Sequence, residues 1–294
     1  SHTCKKYVDR KISTYNLIIA WPRWIEAMVE VAKKEGVEFF FGVEVEKPLE
    51  ENNVVSGVQT KDGKKWKSDV IFYCAGHSGN LRPKDAAKAI PIYKKLVSNY
   101  HGPQDRLEYY FQVDESFPAI GTIFPRGNQD AEVILMFLTD CAVKPVESWD
   151  LYNQEIQNFP AKHPVFAERM QGTKVDYEIK TSIPMSGLGK SFALRPGLFA
   201  AGDFIGTVQA RGGSGIKSSF LIAYDLAQKV AENAKSSIEW SLAKWNEYVA
   251  NLPEMKELQE MDLKFGLPRR LLFRSVTSPF LMDMFWGALS IPMR

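Results

Sequence analysis

The sequence predicts an α/β frame interrupted by an antiparallel sheet, and three observations carry that expectation. Two short apolar runs, Asp69 to Ala75 and Leu198 to Ala201, each feed directly into a glycine-bearing loop, as the buried strands of α/β folds do. Between them, residues 89–192 hold short aromatic-rich strands around one helix, the pattern of an inserted antiparallel sheet. Beyond the second apolar run, a glycine-rich loop opens into a long helix, about Gly215 to Ala234.

The elements follow in order. A helix is predicted from about Pro22 to Glu35: proline suits its first turn, Ile25, Met28, Val29 and Ala32 fall on one face, and Gly36 stands where a C-terminal cap belongs. Strands are expected over Val37 to Val45 and Val54 to Thr60, and Lys61-Asp62-Gly63-Lys64 turns the chain towards Trp66. The strand at Asp69 to Ala75 is read as buried on both faces. Within the inserted region the expected strands are Leu107 to Val113, Ala119 to Phe124, Glu132 to Leu138 and Val175 to Ile183, with a helix near Ser148 to Phe159. Two further helices are placed near Ile238 to Asn251 and Glu254 to Phe265. The domain division read from this pattern is 1–88 and 193–235 for the α/β frame, 89–192 for the sheet and 236–294 for a C-terminal helical region.

Composition removes several function classes. The chain has 294 residues, 45% of them hydrophobic and 24% charged, an ordinary globular balance. Lys and Arg number 37 against 35 Asp and Glu, so no basic surface speaks for nucleic acid as a partner. Cys4, Cys74 and Cys141 lie far apart with no C-x-x-C pair, and the four histidines lack ligand spacing. No metal site is expected, and a reducing, cytoplasmic setting fits this cysteine usage. The most membrane-like stretch, Ser275 to Met293, is broken by Pro279, Asp283, Gly287 and Pro292. It does not read as a spanning helix.

Two apparent phosphate loops fail on inspection. Gly189-Lys190-Ser191 has Pro184 where a P-loop needs its first glycine, and Gly213-Ser214-Gly215 lies too far beyond its strand for a dinucleotide turn. The informative stretch is Gly202-Asp203-Phe204-Ile205-Gly206 followed by Gly212-Gly213-Ser214-Gly215-Ile216. A strand ending at Gly202 presents Asp203 at its carboxyl tip, where α/β sheets bind ligands. That carboxylate can accept hydrogen bonds from sugar or sugar-alcohol hydroxyls. The glycines admit close backbone approach, and the following helix points its positive end at the same place.

This stretch resembles the second FAD-binding motif of the flavoprotein family that includes p-hydroxybenzoate hydroxylase and geranylgeranyl reductase. There a Gly-Asp pair is followed by glycines ten and twelve residues after the Asp, the places of Gly213 and Gly215, with Ile216 at the apolar position after them. Gly206, three residues past Asp203, matches the reductases, whereas the aromatic hydroxylases carry His; Ala210 replaces the usual Pro. Asp69 to Ala75 with Gly76-His77-Ser78-Gly79-Asn80-Leu81-Arg82 is similar to the family's Ala-(Asp)-Gly-x-x-Ser-x-x-Arg strand end, without its Asp. Gly121-Thr122-Ile123-Phe124-Pro125-Arg126-Gly127 resembles the reductase signature Gly-Trp-x-Phe-Pro-x-Gly, with Thr122 in the aromatic place. The resemblance runs from about residue 15 to 235.

The resemblance implies a Rossmann-like FAD/NAD(P)-binding domain with a substrate sheet and C-terminal helices, and FAD as cofactor. It implies cofactor contacts from Arg23, Val45, Ala75, Gly76, Gly202, Asp203, Gly213, Gly215 and Ile216, and a substrate pocket at Tyr110, Phe124 and Pro125. No catalytic side chain is singled out. The activity implied is hydride delivery from reduced flavin to a double bond of a prenyl or other apolar substrate, with an electron-donor protein or reduced nicotinamide supplying electrons. Two alternatives stay open: a flavoprotein dehydrogenase passing electrons to a quinone or electron-transfer protein, and a non-catalytic relative. Arg269, Arg270, Arg274 and Arg294 among the aromatics of residues 265–294 suit docking at an anionic membrane surface. The family's strand–G-x-G-x-x-G–helix unit is not found in the sequence. The chain is therefore read as short of that unit by ~100 or more residues, an α/β frame incomplete at its N-terminus, and as binding FAD weakly or not at all by itself.

Overall fold

A computed structural model describes residues 21–76, 89–112, 114, 116–139, 141–142, 148–184, 193–208, 215–234 and 241–266. These fall into two compact units, one containing residues 21–38 and 90–181, the other residues 39–76, 89 and 182–266.

In the first unit, helix α1 spans Trp21–Lys34, as its apolar spacing predicts, and stops at Gly36, whose φ of +85° only glycine adopts readily. The body of this unit is a five-stranded sheet. Its strands are β5 (Ile90–Ser98), β6 (Glu108–Gln112), β7 (Ala119–Gly127), β8 (Asp130–Phe137) and β9 (Lys174–Ile183), in the order β6-β7-β8-β5-β9. Strands β6 to β8 pair antiparallel in sequence, with Gly121 opposite both Tyr110 and Leu135. Tyr93 on β5 donates its hydroxyl proton to Glu178 on β9 at 2.8 Å.

Helices α2 (Trp149–Lys162) and α3 (Pro164–Met170) cover one face of this sheet. Tyr152, Phe159 and Phe166 pack there with Tyr93, Val97, Tyr100, Ala119, Ile123, Val133, Leu135 and Phe137, all buried. Gly121 makes the close approach possible: a Cβ there would lie 2.6 Å from the Phe159 ring. Pro160 sits inside α2 without ending it, because the helix closes within a turn, where His163 donates its backbone N–H to Phe159 and Pro160.

Among its described residues the second unit holds two small sheets and five helical segments. Strands β1 (Val45–Glu51), β2 (Val54–Thr60) and β3 (Lys65–Lys67) form an antiparallel meander in that order. Strand β4 (Ile71–Tyr73) pairs parallel with β11 (Leu198–Ala200), Leu198 opposite Ile71 and Ala200 opposite Tyr73, while β10 (Ala193–Arg195) flanks β11 antiparallel. After β11 come a single 3-10 turn at Gly202–Ile205, then α4 (Ile216–Ala234), α5 (Leu242–Ala250) and α6 (Pro253–Met261), and a last π turn at Asp262–Gly266. Phe199, Phe204, Ile222, Leu226, Trp245, Val249, Met255 and Leu258 make one buried core from β11, the 3-10 turn and the three helices. No helix among the described residues is long and apolar enough to cross a membrane.

The mixed α/β architecture with its antiparallel sheet is as the sequence predicts; four element readings change. Residues 37–44 do not form a strand: Gly42 takes φ +73° in a turn, and the strand is β1 itself, whose Pro48 and run of acids hide it from a hydropathy reading. Pro48 is tolerated because β1 is an edge strand. Strand β4 is shorter than its apolar run, and Phe72 is 38% exposed, so it is not buried on both faces. Strand β5 and helix α3 went unread in the sequence.

Candidate functional site

The parallel pairing of β4 and β11 brings their following segments to one edge of the sheet. The Ala201 N–H extends the ladder by donating to the Tyr73 carbonyl at 3.2 Å. Ala75 and Gly76 therefore leave this sheet at the same end as Gly202 and Asp203. Ala75 is exposed, and Gly76 and Gly202 take φ of +66° and +71°, left-handed turns that release both chains from the strands.

Asp203 is the second residue of the 3-10 turn and is half-buried between the buried Ala201 and Phe204. Gly206 ends that turn in the left-handed conformation, its N–H donating to the Asp203 carbonyl at 3.2 Å. The turn folds the chain back so that the Asp203 side chain meets the start of α4. A Cβ placed on Gly215 would stand 3.2 Å from Asp203 Oδ1, 3.2 Å from Val208 Cγ2 and 3.4 Å from Val208 Cα. A side chain at this position would need the carboxylate or Val208 to give by a few tenths of an ångström. Gly215 accepts the first helical hydrogen bond, from the Ser219 N–H at 2.9 Å. The carboxylate consequently lies at the amino end of a 19-residue helix, whose first N–H groups carry partial positive charge.

The first turn of α4 is clamped from two sides. Thr207, fully buried, shares a 2.7 Å hydrogen bond with Ser219. Ser218, also fully buried, donates its hydroxyl proton to Glu254 Oε1 on α6 at 2.6 Å. Glu254 is 5% exposed, and its other oxygen faces the Lys217 ammonium at 3.4 Å; Glu257 faces the same ammonium at 3.4 Å. Burial opposes the charge on Lys217, but these two carboxylates hold its pKa above the usual lysine value.

Of the other residues singled out in the sequence, Ile216 opens α4 and is 45% exposed. Val45 opens β1, paired with Thr60, and is also 45% exposed. Arg23 is exposed on the first turn of α1, in the other unit. Gly213, like His77, Ser78, Ala210 and the tail beyond 266, lies outside the described residues.

The three residues read as a substrate pocket do not share a face of the sheet. Tyr110 points to the helix-covered side, with its ring against Phe166 at 5.2 Å and His163 at 6.2 Å and its hydroxyl donating to Glu108 at 2.9 Å. Burial raises its pKa first, and the neighbouring Glu108 carboxylate adds to the shift. Pro125 lies opposite Ala131, which belongs to the same helix-side core, and is buried. Phe124 lies on the opposite side, where the register groups it with Tyr109, Phe111, Ile120, Ile134 and Met136. Thr122 occupies the middle of that side, 1% exposed, its hydroxyl without a hydrogen-bond partner. The alternation of two residues per pleat decides this: neighbours in sequence cannot line one wall of a sheet.

The sequence reading missed Val208, Thr207, Ser218 and Glu254. Glu254 follows Pro253 at a helix start, which in sequence looks like an ordinary solvated first-turn acid. Only the packing of α6 against α4 buries it.

No protein-family model and no curated protein matches the sequence. Solved structures do match the fold. A geranylgeranyl bacteriochlorophyll reductase-like protein from Thermoplasma acidophilum superposes with a TM-score of 0.71 at 13% identity, over 92% of this chain and 67% of that one. PqsL from Pseudomonas aeruginosa gives 0.59 at 13% identity, over 90% and 71%. The myxobacterial chondrochloren halogenase CndH, a variant of FAD-dependent halogenases, gives 0.63 at 14% identity, over 92% and 62%. The chain thus spans about two thirds of the length of the structures it matches. It shares the fold of these solved structures, and identities this low speak for architecture alone.

Proposed function

We propose that the chain belongs to an FAD-dependent oxidoreductase that reduces a double bond of a prenyl or other apolar substrate. The single observation behind this reading is the Asp203 carboxylate set against Gly215 at the amino end of α4, on the carboxyl edge of the β4–β11 pair. The fit to FAD is chemical. An acceptor-only carboxylate suits the ribityl hydroxyls, and a helix amino end favours the negative charge that a reduced flavin carries on its pyrimidine edge. The glycine at the junction leaves backbone N–H groups open to a ligand. Bound FAD would supply hydride chemistry; the protein's part is to hold it, orient the substrate and keep water out.

The substrate reading draws support from the side of the five-stranded sheet away from α2 and α3, where Phe124, Tyr109, Phe111 and Ile120 form an apolar group of half-buried and exposed side chains. One of the matched structures is described as geranylgeranyl bacteriochlorophyll reductase-like, and Gly206 sits where the reductases resembled in sequence carry glycine. Reduced nicotinamide or an electron-transfer protein is the proposed electron source, and contact with a membrane surface through residues 265–294 the proposed route to a lipid.

The test is an anaerobic assay of the flavin-loaded protein. After chemical reduction, addition of a prenyl lipid with unsaturated chains should restore the oxidised flavin spectrum and give a product two mass units heavier. Reoxidation by quinones with prenyl lipids left unchanged would favour an electron-passing dehydrogenase and overturn the double-bond reading.

A further inference from the structure

The strongest unexplained feature of the second unit is a buried, charged side chain at the working end of α4. Glu254 comes from a different helix, is 5% exposed, and accepts a 2.6 Å hydrogen bond from Ser218, the third residue of α4. Its neutralising partner Lys217 is the second residue of the same helix, and that side chain is 58% exposed. A buried carboxylate with a mostly solvated counter-charge keeps much of its field, because the protein side of it does not screen. That field acts on the turn whose positive end faces Asp203.

We propose that Glu254 is a positioning residue that sets the redox potential of the flavin held at the amino end of α4. This inference rests on the FAD reading above. Two-electron reduction of a flavin with uptake of one proton leaves one extra negative charge on the bound group. The helix end stabilises that charge, and Glu254, a fixed negative charge held against the first turn of α4 by Ser218, opposes it. Glu254 therefore favours the oxidised state and makes the reduced one a stronger hydride donor. Its hydrogen bond to Ser218 fixes where the charge sits, and Thr207 on Ser219 fixes the turn from the other side.

Glu254→Gln separates charge from structure, since a glutamine oxygen can still accept from Ser218. In this variant the ratio of FAD dissociation constants, oxidised over reduced, should rise by about two- to fivefold, read as a higher midpoint potential by dye equilibration. Lys217→Met removes the counter-charge and should move the potential the opposite way, without depending on how well Glu254→Gln folds. A purely structural role would lower the melting temperature of Glu254→Gln and leave the ratio unchanged, which would overturn the inference. Shifts of the same sign in both variants would overturn it too. If the unaltered protein binds no flavin in titration, the FAD reading itself falls, a result distinct from flavin that binds with an unaltered potential.

Discussion

His163 shows at the level of one side chain how burial becomes a pH response. It joins α2 to α3, its ring lies 4.3 Å from that of Phe159, and its Nε2 is buried without a hydrogen-bond partner. Burial, with the Lys162 ammonium beside it, lowers its pKa below 6.5, only partly offset by Glu155. The folded state thus prefers the neutral ring, and the unfolded chain binds the proton more readily. Stability from this group is complete above pH ~6.5 and is lost as the pH falls from there through the lower folded-state value. Melting curves at pH 8 and pH 5 should show a smaller acid-induced drop for His163→Gln than for the unaltered protein; equal drops would remove His163 as the cause. The residue scale is also where the sequence is least informative. Gly202-Asp203 and Gly215 are legible as a ligand motif because their spacing is distinctive, whereas Glu254 and His163 matter only through what packs on them.

At the level of elements, the contact that fixes the five-stranded sheet is α2 seated on β7. Gly121 opens a gap that the fully buried Phe159 fills, edge-on to Phe166 at 5.1 Å. Phe159→Ala should destabilise the protein by about 3–5 kcal/mol, the range for emptying an aromatic site in a packed core. A denaturant midpoint unchanged from that of the unaltered protein would show that α2 does not hold the sheet. Helices α1 and α4 and strands β2, β7 and β8 were legible because apolar periodicity and turn residues agree there. Strand β5 was not, since Lys94 and Lys95 interrupt its apolar alternation while lying half-buried. Pro160, in the last turn of α2, concealed how far that helix extends. The pleat, which a reading of sequence neighbours does not reveal, sends Tyr110 and Phe124 to opposite sides of the sheet.

Across the whole molecule, the second unit unites a parallel strand pair, a turn that ends in left-handed glycine and a long helix. Its core of Phe199, Phe204, Ile222 and Leu226 holds these three together beneath Asp203. That combination supports the proposed flavin site more firmly than any motif does alone, because the carboxylate, the glycine and the helix end are brought together by the buried core beneath them. The direct test is titration of FAD into the unaltered chain and into Asp203→Ala, followed by flavin fluorescence. A hydrogen bond to a charged group contributes ~1.5–3 kcal/mol, so the account predicts saturable binding that weakens roughly tenfold or more in the variant, even where the starting affinity is modest. Saturable binding with identical curves for the two proteins would contradict it.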